Sequence, residues 1–264
     1  MKYYDEILDF GCFTRNDLES LITNKKTINS LLLRFEKKGY IKRVKHNYYV
    51  AMDIVNDVPF CNKYQIATLL NDSNYIAYHS ALEYYSYHNQ VFNNLTFCSN
   101  TRINDFIFDN ISFHYVKSKC PLQINQNYDG IKITSLERTI VDCIDQIDLA
   151  GGVEEVFRAL DSIHTLDEEK IIEILDFYNK KVLYQRTGYL LEFFKENLNI
   201  SDSTLEYIRS RIGLSKCYLN SSKKIENVIF NKKWHLCVPT YVSSILTKGT
   251  YSHEIQQKTT KKGS

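Results

Sequence analysis

The sequence is poor in residues that interrupt regular structure, and it has no long apolar run. Its 264 residues include only nine glycines and three prolines, which excludes collagen-like and linker-rich low-complexity proteins. No stretch approaches the roughly 20 consecutive apolar residues of a membrane helix. The first residues also lack the pattern of a secretory signal peptide. We therefore expect a globular, cytoplasmic protein with no membrane partner.

Cysteine is present, but its spacing predicts neither a disulfide framework nor a metal centre. The seven cysteines are odd in number, and none forms a C-x-x-C pair, so we expect reduced, mostly buried thiols. His79, His88 and His114 with Cys98 or Cys120 could be drawn as a metal site, but they lack the spacing of metal ligands. We predict no metal and no cofactor.

Charge is segregated along the chain, although the formal net charge is only +2. Residues 25–45 carry +7, residues 142–176 carry −9 and residues 214–264 carry +7. Such runs are usually solvated faces. We interpret the acidic run as the outer faces of successive helices, or alternatively as a docking surface for the basic face of another molecule or for the basic tail of this chain. The first basic run is more informative because of the elements predicted to carry it.

The first 55 residues predict three helices and a β-hairpin. Helices are expected over residues 2–10 and 15–21, with Gly11 ending the first and a capping pair at Thr14 and Asp17 opening the second. The third helix has apolar residues at positions i, i+3, i+4 and i+7, which form one helical face. These residues are Ile28, Leu31, Leu32 and Phe35.

The hairpin and the third helix together predict a winged helix-turn-helix that binds DNA. Residues 40–50 form two β-rich runs around a polar tip. With its apolar face turned inward, the third helix presents side chains suited to the major groove, while the wing meets the backbone or minor groove. The predicted DNA-binding residues are Lys25, Lys26, Asn29, Ser30 and Arg34 on the helix and Lys42, Arg43, Lys45, His46 and Asn47 on the wing. The open alternative is a protein-docking module with an incidental basic face.

Residues 56–264 predict a larger domain, so the expected fold class is α+β. Residues 53–62 are interpreted as a linker. Short helices are expected over residues 63–70 and 79–85, and β-rich runs indicate a small, mostly antiparallel sheet. Those runs are residues 95–99, 106–108, 111–117 and 131–134.

After residue 134 the pattern becomes helical. Capping boxes at Thr134-x-x-Glu137 and Thr165-x-x-Glu168 are expected to open two helices, over residues 136–147 and as far as Tyr178. Further elements are expected as helices over residues 152–163, 182–198 and 203–212, a β-rich run over 234–238 and a frayed tail beyond about residue 250.

Five segments, in order, resemble one protein family. They are Gly39-Tyr40-Ile41-x-Arg43, Tyr49-Val50, Tyr75-Ile76-x-x-His79-Ser80-Ala81-Leu82, Thr134-Ser135-Leu136-Glu137-Arg138-Thr139-Ile140-Val141-Asp142 and Arg186-Thr187-Gly188-Tyr189-Leu190-Leu191-Glu192. In this order they look like the AbiEi family, the antitoxins of type IV toxin–antitoxin systems. The resemblance covers roughly residues 1–200.

The resemblance implies a function in abortive phage infection. Such antitoxins are encoded beside a nucleotidyltransferase toxin and repress their own operon by binding inverted repeats in the promoter through the N-terminal domain. The C-terminal domain, here residues 56–264, counteracts the toxin, and direct contact with it is not expected. Two copies would meet on the operator, so we expect a monomer or weak dimer. No catalytic residue carries over.

Two other functions stay open. The chain could be a stand-alone transcriptional regulator whose C-terminal domain senses a ligand or partner. An enzyme is the weaker reading: Asp161 with Glu168-x-Lys170 mimics a metal-dependent nuclease, but Glu168 is better explained as a helix cap. His79 and Ser80 are adjacent on a predicted helix and do not face each other, so they form a poor proton relay. We predict no catalytic activity.

Overall fold

A computed structural model describes residues 3–220 and 227–245, and its fold is α+β, as predicted. Contacts divide the chain into two compact units, residues 1–80 with 92–134 and residues 81–91 with 135–264. The predicted boundary at residue 55 falls inside the first unit. None of the helices in the described ranges is long and apolar enough to cross a bilayer. The tail expected to fray lies outside the described residues.

The first unit opens with two helices and a small antiparallel sheet. In chain order these elements are helix α1 (Tyr4–Phe10), strand β1 (Cys12–Thr14), a 3-10 helix (Asp17–Ser20), helix α2 (Lys25–Lys37) and strands β2 (Ile41–Lys45), β3 (Tyr48–Asp53) and β4 (Val58–Pro59). Gly11 ends α1 with a φ of 63°, a left-handed conformation that glycine adopts at little cost. The Asn24 side chain caps α2 by accepting from the amides of Lys26 and Thr27.

Three features of this region differ from the prediction. The second helix is only a 3-10 turn, and half of the predicted capping pair is present. The Asp17 carboxylate accepts from the Thr14 amide at 2.5 Å, but the Thr14 hydroxyl donates to that carboxylate and does not cap the turn, whose N-cap residue is Asn16. Strand β1 was not predicted. Residues 53–62 are not simply a linker, because β4 pairs with β3 within them.

Strand β3 is central to the sheet and is buried on both faces. It pairs with β1 on one side and β2 on the other, and β4 pairs with its far end. Helices α1 and α2 supply the core on one face; its fully buried members include Ile7, Leu18, Ile28 and Phe35. On the other face, the Tyr48 hydroxyl donates to the Ile66 carbonyl at 3.0 Å.

The rest of the first unit is a six-stranded mixed sheet with one flanking helix. Its elements are helix α3 (Lys63–Leu69) and strands β5 (Tyr75–Ile76), β6 (Asn94–Ser99), β7 (Phe106–Phe108), β8 (Ile111–Lys117), β9 (Ile124–Gln126) and β10 (Lys132–Thr134). The strand order is β7-β8-β6-β5-β10-β9. The β6–β8 and β5–β10 pairs are parallel, and the other three pairs are antiparallel. Strands β5 and β9 were not predicted. Helix α4 (His79–Tyr84) spans the boundary between the units.

The second unit is mainly helical and ends in a three-stranded sheet. Its elements are helices α5 (Leu136–Asp145), α6 (Val153–Ser162), α7 (Glu168–Tyr178), α8 (Lys181–Phe193), α9 (Lys195–Leu198) and α10 (Asp202–Ser210), strands β11 (Cys217–Tyr218), β12 (Val228–Asn231) and β13 (Leu236–Pro239), and a 3-10 helix (Thr240–Ser244). The sheet order is β11-β13-β12. Strands β11 and β12 were not predicted, and the single helix expected over residues 182–198 is divided at Phe194.

Both predicted capping boxes of this unit are wrong in the residue they name. Ser135 caps α5 by accepting from the Arg138 amide, while Thr134 is the last residue of β10. Asp167 caps α7 in place of Thr165. Since serine and aspartate cap as well as threonine, the neighbour with the right backbone geometry takes the position.

The acidic run does not consist only of outer helix faces, because two of its carboxylates are buried. Asp142 accepts from Arg138 Nε at 2.8 Å and from the Tyr178 hydroxyl at 2.6 Å. Burial raises the pKa of Asp142, and Arg138 opposes that rise. Glu155 accepts from the Asn89 amide at 2.6 Å. These carboxylates therefore help to hold the unit together.

Candidate nucleic-acid interface

The sequence of α2 dictates which side chains face outward. Four apolar residues at helical spacing are buried in the core, so the opposite side of the helix faces solvent. All five helix residues predicted to bind DNA are exposed: Lys25, Lys26, Asn29, Ser30 and Arg34. The structure therefore brings the helix part of the predicted set together on one surface.

Two further residues belong to this face and were missed. Leu33 is 70% exposed, and Lys37 is exposed one turn later. At 100° per residue, both lie near the centre of the outward face. Viewed down the helix axis, Lys37 lies between Lys26 and Ser30, and Leu33 lies next to Lys26. Their angular position on the helix could have identified both residues, although an apolar residue such as Leu33 is usually assigned to the core.

The first turn of α2 is a positively charged helix end. It contains Lys25 and Lys26 and no acidic residue. The closest counter-charge is Glu19, whose Oε1 lies 3.9 Å from Lys25 Nζ, and the Lys25 side chain is 74% exposed. A pair of this kind is weak in solvent. Because a helix N-terminus carries partial positive charge, the two ammonium groups strengthen a potential that favours anions.

The residues of the β2–β3 hairpin that were predicted to bind DNA are only partly accessible. Arg43, His46 and Asn47 are exposed, and the tip is tight because Asn47 adopts a φ of 59°. Lys42 Nζ lies 3.0 Å from an Asp57 carboxylate oxygen. Lys45 is partly buried.

The ammonium group of Lys45 lies 5.2 Å from the centre of the Phe106 ring on β7, and burial lowers its pKa. A cation held over an aromatic ring is stabilised there, so Lys45 is directed onto the six-stranded sheet. This contact joins residues 61 positions apart in sequence, and no local pattern indicates it.

A β-bulge sets the orientation of the side chains on β2. The register of β2 against β3 shifts between Arg43 and Lys45, so two residues of β2 oppose one residue of β3. As a result Ile41 and Val44 are both buried although they are three residues apart, and Arg43 faces solvent between them.

The residues of the enzyme hypothesis have structural contacts. The Ser80 hydroxyl accepts from the Thr96 amide at 2.8 Å, and the His79 ring lies edge-on to Phe92 at 4.5 Å. Within the described ranges, no cluster of three or more His, Cys, Asp or Glu side chains could hold a metal ion.

Glu168 and Lys170, from the nuclease-like pattern, lie on the first turn of α7 rather than on strands. Glu168 accepts from the Ser201 amide at 3.0 Å and from the Thr204 hydroxyl, which connects α7 to α10. Lys170 Nζ lies 3.1 Å from Asp167. Glu168 and Lys170 therefore have structural roles in helix capping and packing.

The segment 186–192, part of the family resemblance, attaches the C-terminal sheet to α8. Arg186 Nε donates to the Tyr218 carbonyl at 2.9 Å. The Trp234 ring lies against Gly188, and its Nε1 donates to Glu192 Oε2 at 2.6 Å. These residues therefore have a packing role that explains their spacing along one helix.

Comparisons with known proteins identify the fold and no family. No family model matches the chain, and no curated protein sequence matches it. The chain is similar to the crystal structure of the RV2827C protein from Mycobacterium tuberculosis, with a TM-score of 0.68 over 90% of this chain and 89% of that chain. The two sequences are 12% identical, so the likeness shows a shared fold alone.

Proposed function

We propose that this chain is a DNA-binding antitoxin that represses its own operon. The observation that carries the DNA-binding part is the outward face of α2, where lysine, arginine, asparagine and serine side chains are exposed together. The order of α1, the 3-10 helix, α2 and the β2–β3 hairpin supports a winged helix-turn-helix. The antitoxin part is supported by the sequence resemblance to the AbiEi family.

On this proposal α2 enters the major groove. Lys26 holds a phosphate, and Asn29, Ser30 and Arg34 reach base edges, since amide and guanidinium groups pair bidentately with adenine and guanine. Leu33 is exposed on the same face and contacts thymine methyl groups, which are apolar groups in the major groove. Arg43 and the hairpin tip contact the adjacent backbone or minor groove.

Salt dependence tests the phosphate contacts. We expect full-length protein to bind labelled DNA from upstream of its own coding region. With roughly six phosphates neutralised, log K should fall against log salt with a slope of about −5. Lys26→Ala should weaken binding to all duplexes and make the slope shallower by about 1. Lys232→Ala, which removes an exposed lysine from the second unit, is the matched control. Equal affinities for the two variants, or binding that does not respond to salt, would reject the proposal.

Sequence discrimination tests the base contacts. Arg34→Ala and Asn29→Ala should reduce the preference for the upstream DNA over scrambled DNA, each by about 1–3 kcal/mol. Binding to scrambled DNA should change less. Lys42→Ala should weaken binding to both DNAs similarly, and less than Lys26→Ala because Asp57 already holds Lys42. If both the Arg34 and Asn29 variants keep the wild-type preference for the upstream DNA, α2 does not recognise the base sequence.

Neutralisation of toxicity is tested in cells with the whole chain. A fragment ending at residue 55 would separate β4 from β3, so point variants are preferred to fragments. We expect co-expression with the neighbouring nucleotidyltransferase gene to restore growth for both the wild type and Arg34→Ala, while only the wild type represses a promoter fusion. No rescue by the wild type would leave a stand-alone DNA-binding regulator.

A further inference from the structure

Two cysteines that are distant in sequence meet beside β3. The Ala51 amide donates to the Gly11 carbonyl at 2.7 Å, and the Ala51 carbonyl accepts from the Phe60 amide at 3.0 Å. The segments ending at residue 60 and beginning at residue 11 therefore lie end to end along one side of β3. The next residue of each segment is a cysteine. Cys61 Sγ lies close to the residue before Cys12, because a Cβ atom added at Gly11 would be only 2.8 Å from it.

The two thiols have different surroundings. Both are buried, but Cys61 lines a cavity of about 260 Å³ that also includes Pro59, Lys63 and Phe108. Hydrogen bonding from the Cys12 thiol lowers the pKa of Cys61, whereas burial raises the pKa of Cys12. A reactive cysteine must be reached by its reagent and must ionise. Cys61 lines the cavity and Cys12 does not, so the geometry favours Cys61 as the nucleophile and Cys12 as the resolving partner.

We propose that Cys61 and Cys12 form a modification site that is oxidised by small hydroperoxides to an intramolecular disulfide. The Cys61 sulfur attacks one peroxide oxygen, the O–O bond breaks, and the thiol proton with the leaving oxygen forms water or an alcohol. Cys12 then attacks the resulting sulfenic acid. The Cys61 sulfur–oxygen bond and the Cys12 sulfur–hydrogen bond break, and one water molecule leaves as the disulfide forms. The two sulfurs lose two electrons in total, and the peroxide gains them.

The disulfide would close a loop from Cys12 on β1 to Cys61, two residues before α3. This loop contains α2 and the β2–β3 hairpin, so oxidation would tie the two ends of the segment that carries the exposed basic face. The inference rests on the thiol pair and the cavity, and it holds whether or not that face binds DNA. A thiol reductant would reverse the modification.

The test is peroxide titration of the reduced, full-length wild-type protein. Free thiols are alkylated under denaturing conditions, and intact mass and peptide mapping follow. We expect one disulfide per chain, a mass lower by about 2 Da before alkylation, and a cross-link between the peptides that contain Cys12 and Cys61. Cys12→Ser should leave a sulfenic acid at Cys61 that dimedone traps, and Cys61→Ser should leave Cys12 reduced.

Cys217→Ser is the matched control, because Cys217 is the most exposed cysteine of the chain. That variant should form the Cys12–Cys61 disulfide as the wild type does. Oxidation of Cys217 before Cys61, or a wild-type protein in which both thiols stay open to alkylation after peroxide treatment, would overturn the proposal. The wild-type peptide map decides the question even if a serine variant fails to fold.

Discussion

The contact between Gly188 and Trp234 makes the sharpest stability prediction. A Cβ atom added at Gly188 would lie 2.1 Å from Cζ3 and 2.5 Å from Cη2 of the indole ring. The ring is fully buried, and its Nε1 is held by Glu192 one turn further along α8. Gly188→Ala therefore forces a clamped side chain to move.

The expected cost follows from three opposing effects. Alanine is favoured over glycine within a helix by about 1 kcal/mol. Displacing the ring in a packed interior costs about 1–3 kcal/mol, and weakening a hydrogen bond to a carboxylate costs about 1.5–3 kcal/mol. The net loss in the free energy of unfolding is about 1.5–5 kcal/mol, so packing outweighs helix propensity.

Tryptophan fluorescence during urea unfolding measures this loss directly. The chain has a single tryptophan, so the signal reports Trp234 and the second unit alone. We expect Gly188→Ala to shift the unfolding midpoint to lower urea with an unchanged m-value. A red-shifted emission of the folded variant would show that the ring has moved.

A double-mutant cycle provides the control. Trp234→Leu in the wild-type background leaves a cavity, whereas in the Gly188→Ala background it relieves the overlap, so its cost should be smaller there. Circular dichroism follows both backgrounds, because these variants lack the fluorophore. Additive effects, or a Gly188→Ala protein as stable as the wild type, would refute the reasoning.

Three further predictions concern buried charge, pH and backbone conformation. Arg138→Met leaves a buried carboxylate without its guanidinium and should cost about 3–5 kcal/mol in urea unfolding; a loss below about 1 kcal/mol would contradict it. Burial alone would raise the pKa of Glu168, but hydroxyl and amide donors hold it below its usual value. Glu168→Gln should therefore lose about 1 kcal/mol at neutral pH, and this deficit should vanish as the pH falls through the folded-state pKa; a pH-independent deficit would refute it. Gly39→Ala, at a φ of 74° with open space around it, should lower stability by about 1–2 kcal/mol. Gly11→Ala should cost more, because its Cβ would also lie 2.8 Å from Cys61 Sγ; equal melting temperatures would contradict this.

The sequence was most informative for helices, because the apolar pattern of a helix depends on that helix alone. The apolar spacing of α2 and α6 predicted both helices and their buried faces, because helical periodicity is a local property. Strands of two residues, such as β5 and β11, carry no such signal, since they exist only through their partners. Caps were misplaced by one or two residues where several capping side chains are adjacent.

The candidate site was predictable to the same extent. The exposed residues of α2 follow from the position of its buried face, so Asn29 and Arg34 could be placed from the sequence. The β2–β3 hairpin was harder to predict, because the bulge at β2 and the ring beneath Lys45 depend on distant residues. The thiol pair depends on three chain segments meeting at β3, which the spacing of Cys12 and Cys61 does not reveal.

The ion pair between Lys42 and Asp57 affects how a DNA titration is interpreted. On the proposed function, a phosphate that binds Lys42 displaces a carboxylate belonging to the same chain. One anion replaces another, and the local net charge near the duplex stays the same. Such a contact releases almost no condensed cations from DNA. The number of phosphates inferred from ionic-strength data will therefore be smaller than the number of basic side chains that touch the backbone.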